Sequence, residues 1–386
     1  MRTLPKTVWA LGLVSMFMDI SSEMIHALLP LFLTTSLGAS VALVGLIDGV
    51  AESTASISKI FSGYLSDRFT RRKPLILLGY GLGALTKPLF ALAASPALVL
   101  GARFADRIGK GLRGAPRDAL IADVTPAEFR GSAYGLRQAL DTVGALIGPL
   151  LAIGLMALFA NNFRAVFLVA IIPALIAVAL VLVGVEERRE PRSASSTKEP
   201  IALRDLVRLD RAFWGVVIVG IMMTLARFSE AFLILKANAE GLPLAFAPAV
   251  LVVMNVIYAL GAYPAGVLAD RFAPMRLLLI GLAALIAAEL LLAFAPGVWG
   301  AFAGIAFWGA HMALTQGLFA KLIADSAPAD LRGSAFGLFN LATGIAMLAA
   351  SVIAGLLWDR FSAGTTFLAG AIFALLASAL AVTRLR

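Results

Sequence analysis

The segment Leu120–Leu136, LIADVTPAEFRGSAYGL, returns 202 positions later at Leu322–Leu338 as LIADSAPADLRGSAFGL, with 12 of 17 positions identical. One loop earlier in each copy, GYLSDRF at Gly63–Phe69 matches GVLADRF at Gly266–Phe272. The chain is therefore a tandem duplication, and what is duplicated is apolar. Of its 386 residues 60% are hydrophobic and only 14% charged, against about 25% charged in a soluble domain. That leaves too little polar surface for a water-facing globule, so a soluble enzyme is excluded. Crossing a hydrocarbon core takes roughly 20 apolar residues, which divides the length into about a dozen spans.

Apolar stretches read against Gly, Pro and charge punctuation place spans at 8–33, 41–65, 74–94, 97–121, 132–157, 163–184, 211–236, 246–269, 276–295, 298–322, 333–357 and 363–383. Between 185 and 210 the composition turns to Glu, Arg, Ser and Pro, too polar to cross and too short to fold alone. The expected organisation is an all-α integral membrane protein of about 12 transmembrane helices, with a six-helix bundle over 1–184, a cytoplasmic linker over 185–210 and a second bundle over 211–386. The two copies start on the same side, which makes a parallel repeat of the kind that places a solute site between halves.

The net charge of +9 is explained by Lys and Arg held in cytoplasmic loops, not by a nucleic-acid partner. The basic loops 67–73, 117–130 and 271–276 and the basic tail put both termini in the cytoplasm of a plasma (inner) membrane. Arg2 and Lys6 precede an apolar run that continues to about Leu33 with no small-residue cleavage site, which reads as a retained first span. Cysteine is absent, so thiolate metal sites and thiol nucleophiles are excluded.

An ionised side chain at the bilayer centre costs at least about 2.5–3.5 kcal/mol, so each one inside a span needs a partner or a task. Asp19, Glu23 and His26 fall at spacings of four and three in span 1, within about 60° of arc at 3.6 residues per turn. Span 2 repeats the device with Asp48, Glu52 and Lys59. Opposite charge comes from span 4, where Arg103, Arg107 and Lys110 share a face, with Asp106 at its edge and Arg113 nearby. Span 5 adds Arg137 and Asp141, span 7 Arg227 and Glu230, and span 10 His311. Internal ion pairing would be a poor reason for so many charges, since buried pairs are weak stabilisers. A polar path with exchangeable pairs explains them better, and Glu23 and Asp19 are the first choice for proton coupling. Asp19, Glu23, His26 and His311 also have the donor types of a divalent-cation set, and the arginines suit carboxylate or phosphate. Neither a phosphate-binding loop nor a hydrolase motif occurs, so a pump or an intramembrane enzyme lacks its machinery.

The loop after span 2 resembles the signature of the major facilitator superfamily, carried here by Gly63, Asp67, Arg68, Arg71, Arg72 and Lys73. The second copy keeps Asp270 and Arg271 but has Pro274 and Met275 in place of the basic pair. Arg107, Gly111, Gly114 and Ala115 resemble the family's conserved-arginine segment, and Gly144-x-x-x-Gly148-Pro149 is similar to the span 5 signature of proton-coupled exporters, with Ala152 replacing a glycine. The resemblance implies a secondary transporter working by alternating access, with a cytoplasmic gate formed by Gly63, Asp67, Arg68, Arg71, Arg72, Asp270, Arg271 and Arg332. The span 5 motif points to proton-coupled efflux, and the charged faces with modest aromatic content point to a small polar or charged solute; the expectation is the proton gradient as energy source, no cofactor or bound metal, and a monomer in the lipid bilayer. Organic-anion or metal-chelate transport is the alternative.

Overall fold

In a computed structural model the described residues are 4–68, 71–187, 209–271, 273–328 and 331–384. Among them there is no strand, as hydrocarbon demands of a chain that does not close a barrel, since helices satisfy every backbone group internally. The helices are α1 Lys6–His26, α2 Leu29–Leu31, α3 Val41–Arg68, α4 Lys73–Leu92, α5 Pro96–Val124, α6 Arg130–Leu158, α7 Phe163–Val169 and α8 Ile171–Gly184. They continue as α9 Arg211–Ala226, α10 Ala231–Ala239, α11 Ala249–Arg271, α12 Pro274–Phe294, α13 Gly297–Ser326, α14 Arg332–Arg360 and α15 Ala363–Arg384. Several starts are written locally. Ser95 accepts from Leu98 N at 3.4 Å with Pro96 behind it, Asn162 accepts from Ala165 N at 3.2 Å, and Asp210 accepts from Phe213 N at 2.9 Å, each satisfying an orphan donor of a first turn.

Eleven described helical segments are long and apolar enough to span a membrane. The twelfth expected span is α5, which carries Arg103, Asp106, Arg107, Lys110, Arg113 and Arg117 and so fails any test of composition. Its 29 residues reach roughly 43 Å at 1.5 Å per residue, ample for crossing. Spans 1, 6 and 7 are each read as one helix in the sequence but are interrupted. In span 1, α1 ends at His26, α2 holds Pro30, and Phe32–Ser36 forms a π turn. In span 7, Arg227–Glu230 separates α9 from α10.

The chain forms two compact units, one of Met1–Phe32 and Thr54–Pro200, the other of Leu33–Ser53 and Ile201–Arg386. The expected linker lies mostly at 188–208, outside the described residues. In the first unit α1 lies along α6 and α8, and α4 packs against α5, over a core that includes Val14, Met18, Tyr80, Ile121 and Val181. The α4–α5 approach is backbone to backbone: a Cβ on Gly79 would stand 2.8 Å from Gly109 O, and one on Gly109 2.7 Å from Gly79 O. Glu187 closes this unit's end by accepting from Arg72 N at 2.6 Å and Lys73 N at 3.2 Å, the first donors of α4. Arg72 in turn reaches Asp123 at 2.6 Å.

In the second unit α12 packs on α13 and α15, and α9 on α14 and α15, around Phe213, Val217, Leu278, Leu282 and Phe319. Residues 33–53 belong here by packing. Asp359 at the end of α14 accepts from Val41 N at 3.1 Å and Ala42 N at 2.8 Å, capping α3. A Cβ on Gly49 would stand 3.1 Å from Leu348 Cα. Outside the spans, Glu240 pairs with Lys236 at 2.5 Å and accepts from Gly297 N at 2.6 Å. Those two bonds hold its carboxyl below the usual carboxylate range.

Candidate functional site

The first unit gathers most of the intramembrane charge. α6 approaches α1 where the acidic stripe begins, and its glycines set the distance. A Cβ on Gly144 would stand 2.6 Å from Met16 O and 3.1 Å from Asp19 Cβ, and one on Gly148 2.8 Å from Glu23 Cβ and 2.9 Å from Ile20 O. The spacing of four thus seats the α6 backbone at the roots of both carboxylates, which small residues alone permit. Asp19 lies in electrostatic reach of Asp141 on α6, of Lys110 and Arg113 on α5, and of Glu23 one turn along.

A hydrogen-bonded chain extends from this cluster. Asp141 pairs with Arg137, which also reaches Asp118 at 3.4 Å. Asp118 meets Arg117 at 3.0 Å, and Arg117 donates to Ser15 Oγ at 2.6 Å beside the Tyr80 hydroxyl. Arg113 stacks its guanidinium 4.5 Å from the Tyr80 ring centre, a cation–π contact. At the far end of the α1 stripe, Arg103 Nη2 lies 2.5 Å from His26 Nδ1. Carboxylates and cations that can exchange partners within a few ångströms are the means by which a proton can be bound in one arrangement and released in another.

The second unit holds the remaining candidates. Ser229, in the break between α9 and α10, donates to Asp48 Oδ2 at 2.6 Å and accepts from Ala231 N at 3.1 Å. Arg227 sits in the same break, in electrostatic reach of Glu230 and Glu52. Unwound backbone inside a span is tolerated where it is buried in protein or lines a polar cavity. His311 is fully buried, with Nδ1 2.8 Å from Gly281 O. That bond ties α13 to α12. Among the described residues no three His, Asp or Glu side chains converge as a metal site would require. A recess of about 590 Å³ lined by Ala287, Leu290, Leu291, Phe294, Ala295 and Phe307 is apolar and includes none of the candidates.

Three features escape the sequence reading. Lys87 on α4 lies 2.9 Å from Asp106 Oδ1 and 3.0 Å from Ser22 Oγ, and the Lys87 and Asp106 side chains are 2% and 5% exposed. Arg107 falls in electrostatic reach of this pair. The signal was present: Lys87 interrupts an apolar run in α4, and the short connection to α5 turns that helix back along it. Ser229 could have been found from the polar Arg227-Phe-Ser-Glu230 sequence inside a span. Glu289 on α12 is fully buried with neither carboxyl oxygen hydrogen-bonded, against Gly370 of α15. Of the expected gate, Gly63, Asp67, Arg68, Asp270, Arg271 and Arg332 lie outside the residues whose side chains are described. Arg71 is exposed, and Arg72 is buried in its contacts with Asp123 and Glu187.

The Major Facilitator Superfamily model matches residues 11–346 and 234–386. The chain belongs to the major facilitator superfamily. It is a multi-pass membrane transporter for small molecules, of a family that is not enzymatic. An uncharacterised MFS-type transporter of Methanocaldococcus jannaschii is 30% identical over 385 residues, 98% of this chain and 95% of that protein. The class C tetracycline resistance protein of Escherichia coli is 31% identical over 328 residues, 77% of this chain and 78% of that protein. The solved structure of the nucleoside transporter NupG aligns with a TM-score of 0.81 at 13% identity, covering 98% of this chain and 100% of that one. A D-xylose–proton symporter aligns at 0.75 and 18%, covering 99% and 98%. At these identities the two structures speak for the fold.

Proposed function

We propose that this chain is a proton-coupled exporter that moves a small polar or charged solute against protons by alternating access, as a monomer in the plasma membrane with both termini cytoplasmic. The proton gradient is its energy source and no cofactor takes part. The observation that carries this reading is the cluster of Asp19, Glu23 and Asp141 with Lys110 and Arg113, seated where Gly144 and Gly148 bring α6 onto α1. A proton and the cationic part of a solute compete for Asp19 and Glu23, so loading one releases the other. The tetracycline resistance relative supports the export direction, as does a multidrug resistance protein of Proteus mirabilis that is 32% identical over 150 residues, 39% of this chain and 37% of that protein.

Asp19→Asn and Glu23→Gln test the assignment. Each is expected to reduce gradient-driven transport by about tenfold or more, equivalent to about 1.4 kcal/mol, while solute exchange without a gradient continues. Proteoliposome flux with and without an imposed pH difference measures both. Gradient-driven transport that survives both substitutions would remove these carboxylates from the coupling path.

A further inference from the structure

We propose that Tyr80 is a positioning residue for the coupling carboxylate: its ring holds the Arg113 guanidinium away from Asp19 and so keeps that carboxylate free for a proton or a solute cation. Arg113 and Asp19 are opposite charges within electrostatic reach inside one unit, yet no hydrogen bond or ion pair joins them. Arg113 is 5% exposed, and its Nη1 has no hydrogen-bond partner among the described residues. A buried guanidinium in that state closes on a carboxylate unless something holds it. Two features of α4 hold it. The side chain lies along a slot of glycines: a Cβ on Gly79 would stand 2.7 Å from Arg113 Cβ, and one on Gly83 3.2 Å from Arg113 Nη1. Tyr80 lies against the guanidinium with its ring centre 4.5 Å from Cζ, and the negative face of the ring takes up part of the attraction a carboxylate would otherwise supply.

The ring is itself fixed. Tyr80 is fully buried, and its hydroxyl lies 2.9 Å from Ser15 Oγ and accepts from Arg117 Nη1 at 3.5 Å. Ser15 stands one turn before Asp19 on α1, so the residue that anchors the ring shares a helix face with the carboxylate the ring protects. The neighbouring charges leave this division intact. Asp106, the second carboxylate in reach of Arg113, is occupied by Lys87 Nζ at 2.9 Å and Thr86 Oγ1 at 3.5 Å. Lys110 also reaches Asp19 from α5, but it is only half-buried, and water can solvate its ammonium. Asp141 on α6 and Glu23 one turn along add negative charge around Asp19, which strengthens the pull on an unrestrained guanidinium. Without the ring, Arg113 closes on Asp19 and takes the place of the proton or solute cation.

This role for Tyr80 rests on Asp19 being the exchanging carboxylate, whereas the state of Asp19 is measurable without any solute. Full-length protein in neutral detergent is treated with a water-soluble carbodiimide and glycinamide, which together convert an accessible carboxyl to an amide, and coupling at Asp19 is read by peptide mass spectrometry. In the wild type Asp19, half-buried, is expected to be labelled. Tyr80→Leu is expected to cut that labelling by about tenfold, the size of an interaction between contacting side chains, and Tyr80→Leu with Arg113→Gln to restore it. Tyr80→Phe, which keeps the ring, is expected to match the wild type. A ring that merely filled space would give a Tyr80→Leu loss that Arg113→Gln could not reverse. Should Tyr80→Leu fail to fold, Arg113→Gln alone decides. It is expected to change Asp19 labelling by less than about threefold, and a rise of about tenfold would show the pair already closed in the wild type. An unlabelled Asp19 in the wild type, labelling indifferent to Tyr80→Leu, or a loss reversed by Lys110→Gln as fully as by Arg113→Gln would also overturn the proposal. In proteoliposomes with an internal pH dye, ethidium-driven proton movement is expected to be lost in Tyr80→Leu and to return with Arg113→Gln. Wild-type protein that moves no proton in response to ethidium would count against the cation-for-proton reading, while the labelling would still decide the role of Tyr80.

Discussion

Gly148→Leu and Gly144→Leu are expected to abolish transport, and the corresponding alanine variants to weaken it by about tenfold while lowering stability by about 1–3 kcal/mol, the usual cost of overpacking. The added Cβ at Gly144 meets Met16 O at 2.6 Å, a backbone atom that cannot rotate away, and at Gly148 it meets Glu23 Cβ at 2.8 Å. To accommodate it α6 must move off α1. That motion separates Asp141 from Asp19 and dismantles the cluster to which coupling is assigned. Gly154 on the same helix is the control, since a Cβ there meets nothing within 4 Å. Gly154→Ala should leave both transport and thermal unfolding unchanged. Equal effects at 154 and 148 would show that helix propensity, not the α1–α6 approach, is being measured.

The second large effect is expected at Lys87. Replacing it by methionine leaves the Asp106 carboxylate, 5% exposed on its side chain, without its closest cation. Removing one partner of a buried pair costs about 3–5 kcal/mol, whereas replacing both by apolar groups of similar size is often neutral or better. Lys87→Met is therefore expected to lower the unfolding temperature in detergent strongly, and Lys87→Met with Asp106→Leu to recover most of that loss. If the pair only holds α4 to α5, the double variant also recovers transport. Stability recovered without transport would place Asp106 in the solute path.

The fold was legible because duplication and apolar content constrain a membrane chain so heavily. The repeated loops at 120–136 and 322–338 are the ground for expecting two bundles, though residues 33–53 pack with the second unit and not the first, and the scarcity of charge fixed the class. α5 was also found, since a segment with eight charges still had the length, the proline start and the neighbouring spans of a crossing helix. The interruptions at 27–36 and 227–230 were missed because hydropathy does not register a break in hydrogen bonding when the residues stay apolar or sparsely polar. In the site, helical spacing revealed which side chains of α1 share a face. It could not reveal what lies opposite, because partner identity depends on the height at which two helices cross. Asp106 was seen as an edge residue of α5 and is the partner of Lys87, and the contact of Arg103 with His26 was not foreseen. Gly144 and Gly148 were recognised as a signature, yet only the packing shows that they abut Asp19 and Glu23. Glu289, whose carboxyl oxygens find no hydrogen-bond partner among the described residues, has no role in the proposed coupling.

Proton movement in proteoliposomes that hold the purified protein and an internal pH dye tests the coupling of solute to protons most directly. Organic cations, organic anions and divalent metals would be added in matched series without an imposed gradient. Solute moving down its own gradient should drive protons the opposite way, and the signal should disappear in Asp19→Asn and Glu23→Gln. Saturable solute flux with no accompanying proton movement would contradict proton coupling, leaving a facilitator-family carrier whose intramembrane carboxylates serve another purpose.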